Sequence, residues 1–430
     1  MSRVTQRLAA CFFCVLASCS GSGVPMAPEK SPHFEAVSDQ LHLGGTVYAY
    51  ADIEGDAERA ADFLLTLLRD LPGLLPQQGV NRLNATALVR ILGLHTVQAI
   101  GLSSYEKQSL YHNRSFIHHT GAREGLLELF GAEPATFDLV SIAPKEADLV
   151  WEQQLDVRVL VDIVRALGEL GIGTAPEDLD KALRKRVLDL DITLAAILER
   201  LNTTAGLILA VDENQPLRIP GESFWFPYTD FLFRIDGLDE LADAIVERAA
   251  LDPFIASERT DEWVTIRPTI KLPPPWNAYE PSVVKEIATG RMYVVSSPAF
   301  LKKCLSTTKG VAPTAEFIRA FDQLPTAGNG LLYFSPSMTR QMHALLDRVI
   351  ETDGSSITAT VARFFLPDVG YPVGWVATNT REGLLITSNS PSSHKSTLLT
   401  LGYAALLPAI AVVGASALQP GAPKPELPFN

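Results

Sequence analysis

The chain has 430 residues, 47% of them hydrophobic and 20% charged, a balance that belongs to a folded globular protein and excludes a disordered one. Acidic residues outnumber basic ones 49 to 36, for a formal net charge of -13, and without a Lys/Arg-rich run no nucleic-acid partner is expected, because phosphate binding needs a basic patch. The length accommodates one large domain or two to three ordinary ones.

The N-terminus carries an address. Arg3 and Arg7 form a short positive region ahead of an apolar stretch from Leu8 to Ala17, which is too short to cross a bilayer as a helix. The stretch ends in Leu16-Ala17-Ser18-Cys19: an aliphatic residue, two small ones, then a cysteine. This pattern resembles the lipobox of bacterial lipoproteins. The resemblance covers about 20 residues and implies that residues 1–18 are removed as a signal peptide. It also implies that Cys19 becomes the new N-terminus and is acylated with fatty acids such as palmitate, so that membrane lipid is the expected partner at Cys19. Of four cysteines, Cys11 and Cys14 lie in the discarded signal and only Cys304 remains beside Cys19. The mature chain therefore forms no internal disulfide and no cysteine zinc site. Residues 19–36, with Ser20-Gly21-Ser22-Gly23-Val24-Pro25, Pro28 and Pro32, read as a flexible tether.

The body alternates strands with amphipathic helices. Thr46 to Ala51 reads as a strand, followed after the acidic Asp52 to Asp56 by a helix presenting Ala60, Phe63, Leu64, Leu67 and Leu68. The same handover recurs from Leu149–Leu155 into Val157–Leu170, and from Asp230–Ile235 through Asp236 and Asp239 into a helix with Leu241, Ile245 and Val246. It recurs again from Met292–Val295 through Ser297-Pro298 into Phe300–Leu305, and from Leu331–Phe334 through Ser335-Pro336 into Met338–Ile350. Asp or Ser stands wherever an N-cap is needed. Further strands are expected at Gln98–Leu102, Arg114–His119, Thr203–Val211, Trp263–Ile270, Val373–Thr378 and Gly383–Ser388, with the first and last pairs forming hairpins.

Hairpins mixed with strand-to-helix units point to an α+β fold with mostly antiparallel sheets and amphipathic helices packed on one face. The loop-like run Asp212-Glu213-Asn214-Gln215-Pro216 through Pro220-Gly221 reads as a linker between two related halves, 37–211 and 212–395. Leu272-Pro273-Pro274-Pro275-Trp276 reads as a rigid surface loop. Residues 396–418 form an apolar helix, free of charge from Thr397 to Leu418. That run is long enough to span a bilayer, with burial against the body as the alternative. A Pro-rich tail, 419–430, follows.

No local motif announces catalysis. The chain contains no G-x-S-x-G elbow, since Gly101-Leu102-Ser103-Ser104-Tyr105 lacks the second glycine, no phosphate loop, no dinucleotide fingerprint and no H-E-x-x-H pair. Ser306-Thr307-Thr308-Lys309 and Ser392-Ser393-His394-Lys395 match S-x-x-K without its companion motifs. His112, His118 and His119 on one strand cannot chelate one metal without a sharp turn. Asp52, Glu54, Asp56 and Glu58 alternate like a calcium loop but lack its closing glutamate, and fit helix capping better. Cys304 sits at helical spacing with Phe300 and Leu301 and reads as buried. The aromatic run Phe224-Trp225-Phe226-Pro227-Tyr228, with Phe231 and Phe233, reads as core or as the lining of an apolar pocket.

These signals together lead us to expect a non-enzymatic binding or scaffolding lipoprotein, exported and membrane-anchored in the bacterial cell envelope, with its body in the periplasm or otherwise outside the cytoplasmic membrane. The expected partners are lipid, through Cys19 and the 397–418 run, and other envelope proteins. Cys19 is the one assigned site residue; no catalytic, cofactor or metal residue is assigned. An envelope hydrolase with a non-local site and a carrier of apolar ligands are the alternatives.

Overall fold

The computed structural model describes residues 31–70, 84–131, 133–187, 190–218, 225–249, 251–306, 310–353 and 368–396, together with residues 220, 366 and 398. The signal segment, Cys19, the tether up to residue 30, the 397–418 run apart from Leu398, and the tail lie outside the described residues. Among the described residues no helix is long and apolar enough to cross a membrane.

The chain begins with α1 (Phe34–Ser38), β1 (Val47–Asp52), α2 (Asp56–Asp70), α3 (Ala85–Ile91), β2 (Val97–Lys107), β3 (Leu110–His119), β4 (Ala135–Thr136), α4 (Leu139–Ile142) and β5 (Leu149–Asp156). It continues through α5 (Val157–Glu169), α6 (Pro176–Leu183), α7 (Leu194–Arg200), β6 (Asn202–Arg218), β7 (Trp225–Ile235), α8 (Asp239–Ala249), β8 (Ile255–Arg259), β9 (Trp263–Pro268), β10 (Ser282–Glu286) and β11 (Met292–Val295). It closes with α9 (Pro298–Leu305), α10 (Ala315–Ala320), β12 (Ala327–Gly328), β13 (Gly330–Phe334), α11 (Pro336–Asp353), β14 (Val373–Asn379) and β15 (Gly383–Ser390).

All five strand-to-helix handovers form, and in three of them the expected polar residue caps the helix. Asp156 accepts from the Arg158 amide at 3.1 Å, Ser297 from Phe300 at 3.1 Å and Ser335 from Met338 at 3.0 Å, each satisfying a donor that a first helical turn leaves open. Asp236 departs from this pattern. Its carboxylate is taken by the Arg234 guanidinium, at 2.9 and 2.6 Å, instead of capping α8.

Thirteen strands make one sheet in the order β1-β2-β3-β15-β14-β13-β5-β6-β7-β11-β10-β9-β8, while β4 and β12 pair separately. Every pairing is antiparallel, so the fold is α+β, as its hairpins and handovers imply. The sheet contains three trios of the form strand, helix, strand, strand: β1-β2-β3, β5-β6-β7 and β13-β14-β15. Two trios meet through their last strands, β3 and β15, and two through their first, β13 and β5.

Three expectations need correction. Residues 212–218 are strand, not linker: β6 runs through them, paired to β7 across a bulge between Asp212 and Pro216, so the 211/212 division falls inside a strand of a continuous sheet. A bulge accommodates the polar run and its proline without ending the pairing. Helices also cover both faces, not one. On β11, Tyr293 and Val295 join the core beneath Leu139 of α4, Phe300 and Cys304 of α9 and Phe317 of α10. Met292, which points the other way, packs with Ile197 of α7 and Ala242 of α8.

The segment 31–36, read as the end of the tether, is docked. The rings of Phe34 and Tyr50 lie 5.2 Å apart, the Ser31 and Tyr50 hydroxyls 2.6 Å apart, and His33 Nε2 stands 3.2 Å from Glu54. Val37 and Leu41 press onto Ala99 and Phe116. They fit because Gly101 has no side chain where Val37 and Leu41 sit. Burying these side chains favours order over a free tether, at about 1.5–3 kcal/mol for a large apolar group.

Candidate functional site

At one rim of the sheet, where β3, β14 and β5 end, lies a cleft of about 700 Å³. Its first wall is the end of β3. The His119 amide donates to the Glu382 carbonyl at 3.1 Å and Thr120 N to Thr96 O at 3.0 Å. The second wall is the β14–β15 turn. Thr380 bonds Gly383 O through both its amide, at 2.8 Å, and its hydroxyl, at 2.9 Å, and that hydroxyl accepts from Glu382 N at 3.3 Å. The turn is thereby closed, with Arg381 at its tip.

The floor is built from amides. Asn329 reaches Gln154 Oε1 through Nδ2 at 3.0 Å and accepts from Gln153 Nε2 at 2.8 Å and from the Asn379 amide at 2.8 Å. Asn379 Nδ2 donates to Gly131 O at 2.8 Å. Gly131 has φ +74, a backbone state glycine enters without penalty. The third wall begins at Asp156, whose carboxylate also receives Arg158 Nε at 2.9 Å and Nη2 at 2.5 Å. Those hydrogen bonds hold the Asp156 pKa below its usual range.

Arg123, Arg158 and Arg381 line the cleft together with Glu128, Glu133 and Asp156, so its charges balance. Among the described residues Arg381 and Glu133 make no ion pair. His119, also in the lining, is 5% exposed, and neither ring nitrogen has a partner within the protein. Burial, then the charge of Arg123, then His118, lowers its pKa. The imidazole is therefore neutral near pH 7 and offers one donor and one acceptor. Among the described lining residues the one hydroxyl is that of Thr380, already engaged in its turn. The lining is polar and, among the described residues, offers no free nucleophile.

Elsewhere, Ser115 Oγ lies 3.0 Å from His394 Nε2, within the reach of a nucleophile and its base. The His394 ring is oriented by the backbone of Arg114, and burial is the main cause that lowers its pKa. No carboxylate hydrogen-bonds it among the described residues. Glu152 and Arg234 are buried together in a structural role. Glu152 accepts from the amides of Asp138 and Leu139 at 3.2 and 2.8 Å at the start of α4, with Arg234 beside it at 3.8 Å.

The residues singled out from sequence fall in separate places. His112 and His118 leave one face of β3 and His119 the other, and among the described residues no group of three His, Cys, Asp or Glu is placed to hold a metal. Asp52 accepts from Glu54 N at 3.1 Å, Glu54 meets His33 and Asp56 meets Arg59 at 2.9 Å, so the four carboxylates of that run do not converge. Cys304 is buried, and burial pushes its thiol up to about 12. Trp225 stacks under the Arg348 guanidinium at 4.0 Å, and Tyr228 on Tyr279 at 4.8 Å. The aromatic run thus packs against its own chain; Phe224 lies outside the described residues. Ser306 ends α9, while Lys309 lies outside the described residues. The cleft residues His119, Gly131, Asp156 and Asn379 come from four separated segments, and only His119 attracted notice in the sequence.

Compared with known protein families, with curated proteins and with solved structures, the chain matches none.

Proposed function

We propose that the protein is a binding protein of the bacterial cell envelope, held to a membrane through acylated Cys19, which takes a polar, hydrogen-bonding ligand into the cleft around His119. The observation that carries the reading is His119 itself: a side chain 5% exposed, in a cleft lining, with two ring nitrogens that no protein group satisfies. A buried polar group left unpaired costs about 1–3 kcal/mol, and a ligand that brings a partner to either nitrogen offsets part of that cost. Unpaired charge of both signs, at Arg381 and Glu133, favours ligands such as amino acids and short peptides over apolar ones. The tether and anchor rest on the Leu16-Ala17-Ser18-Cys19 resemblance.

Calorimetric titration of the purified chain with amino acids, di- and tripeptides and free sugars tests the cleft. Binding by one class that is lost in His119→Leu supports the reading, and equal binding by that variant removes it. Metabolic labelling with a fatty-acid analogue tests the anchor: wild type takes label, Cys19→Ala does not.

A second reading, an envelope hydrolase, draws on the Ser115–His394 pair. Among the described residues it lacks the carboxylate that orients the base in most such sites, and for that reason stands second.

A further inference from the structure

On the face of β3 opposite His119, three buried polar atoms have no partner within the protein: Tyr48 Oη, Arg114 Nε and His112 Nε2. They share one sheet face. Tyr48 pairs with Ser103 and Ser103 with Arg114, forming one cross-strand row, and the next row on that face holds Tyr105, His112 and Asn389. The loop after α1 lies over them. Gln40 O accepts from Arg114 Nη1 at 3.1 Å, and the His42 ring stands 5.5 Å from that of His112 and 5.1 Å from that of Tyr105.

The proton on His112 can be placed. Asn389 Nδ2 donates to the carbonyls of Ala320 and Asp322 at 3.0 and 2.8 Å, so its Oδ1 is an acceptor. His112 Nδ1, 2.8 Å from that oxygen, therefore carries the hydrogen, and Nε2 presents a lone pair. Arg114 makes no ion pair among the described residues, the nearby Asp322 being held by Lys107 at 2.5 Å. This patch of the sheet face thus joins one uncompensated positive charge to one buried acceptor. A metal cation is repelled by the guanidinium, and an anion without a hydrogen leaves the His112 lone pair facing its own oxygen.

We propose that Arg114, His112 and His42 form a binding site for a small oxyanion of single charge that retains a proton, of the class of dihydrogen phosphate or hydrogen carbonate. The guanidinium supplies charge and hydrogen bonds to the anionic oxygens, the ligand hydroxyl donates to His112 Nε2, and His42 closes the site from the loop. The site is separate from the His119 cleft and does not depend on it.

The test exploits the hydroxyl. Sulfate matches phosphate in shape and carries no proton at pH 7. The full chain in detergent is titrated calorimetrically with sodium phosphate, sodium bicarbonate and sodium sulfate at matched ionic strength. Saturable binding of phosphate or bicarbonate, about tenfold or more tighter than sulfate, is expected from the cost of leaving one buried acceptor unpaired. Arg114→Gln should abolish it, and His112→Phe should erase the preference over sulfate. Because Arg114 also holds Gln40, the wild-type titration is followed in parallel through the 15N resonance of His112 Nε2, which should move with phosphate or bicarbonate and not with sulfate. Equal binding of all three anions, no binding of any, or an unmoved resonance overturns the proposal, as does a crystal grown with phosphate and bicarbonate that shows ordered water against Arg114 and His112.

Discussion

A Cβ placed on Gly131 would stand 2.8 Å from Oε1 of Gln154 and 2.9 Å from its Cβ. Those distances are closer than ordinary packing, and the residue's φ of +74 is itself unfavourable for any side chain. The two penalties combine in Gly131→Ala, which should lose about 1–3 kcal/mol of stability in urea unfolding. Because Gly131 O accepts from Asn379 Nδ2, ligand affinity in the cleft should weaken with it. Unchanged stability would show that the loop yields without cost.

His119→Leu is expected to behave oppositely. Removing a buried imidazole whose nitrogens are unsatisfied removes a desolvation penalty of about 1–3 kcal/mol. The variant should therefore melt at the same temperature as wild type or higher while losing ligand. A lower melting temperature would mean that the imidazole is held by contacts of its own.

Acid should weaken the fold through its histidines. Burial, the leading cause in each case, sets the pKa of His42, His112, His119 and His394 below the ordinary 6.5. Below about pH 6.5 the unfolded chain takes up protons that the folded chain refuses, so stability present above that pH is lost as pH falls toward the depressed folded values. Asp148 and Glu152, whose pKa values burial raises, act with the opposite sign and are lost as stabilising groups when pH rises. Comparing variant with wild type isolates one contribution: the stability difference between His119→Leu and wild type should widen from pH 7.5 to pH 5. A constant difference would contradict a depressed His119.

Ser115 should resist a fluorophosphonate probe. Its 3.0 Å contact with His394 has the spacing of a nucleophile and base, but among the described residues no carboxylate supports the imidazole. Covalent labelling of Ser115, detected by peptide mass spectrometry and lost in His394→Ala, would promote the hydrolase reading over the binding one.

Much of the strand content was legible because its signals are local. Alternating β-formers marked β5, β14 and β15, and Ser297 and Ser335 marked the starts of α9 and α11. The 98–102 and 114–119 segments form the expected hairpin, but its strands run longer, Val97–Lys107 and Leu110–His119. Its turn is Gln108-Ser109, with φ of 52 and 62, and neither residue announces the left-handed conformation that glycine or asparagine would. Residues 212–218 were misread for a related reason: polar residues and a proline signal a loop, while a bulge lets a strand carry them. Phe63, placed on an inner helix face from its spacing, is 51% exposed, because periodicity says which residues share a face and not how deeply that face is covered. The cleft was illegible altogether. Asp156 and Asn379 meet only through the pairing of β5 with β13 and β13 with β14, a juxtaposition with no trace in local sequence.

The order of strands in the sheet also dictates an order in time. The strands in the middle, β13, β14 and β15, are synthesised after β1 through β11, and they alone join β1-β2-β3 on one side to β5 through β11 on the other. Two partial sheets with open edges must therefore wait for residues 330–390 before they can close on a common centre, and such long-range closure is slow. Until then β3 and β5 present bare edges, which invite pairing with other chains. A nascent chain of this topology gains from a chaperone that shields those edges, and a stop codon before β13 should yield two unjoined sheets prone to aggregation and not a smaller version of the fold.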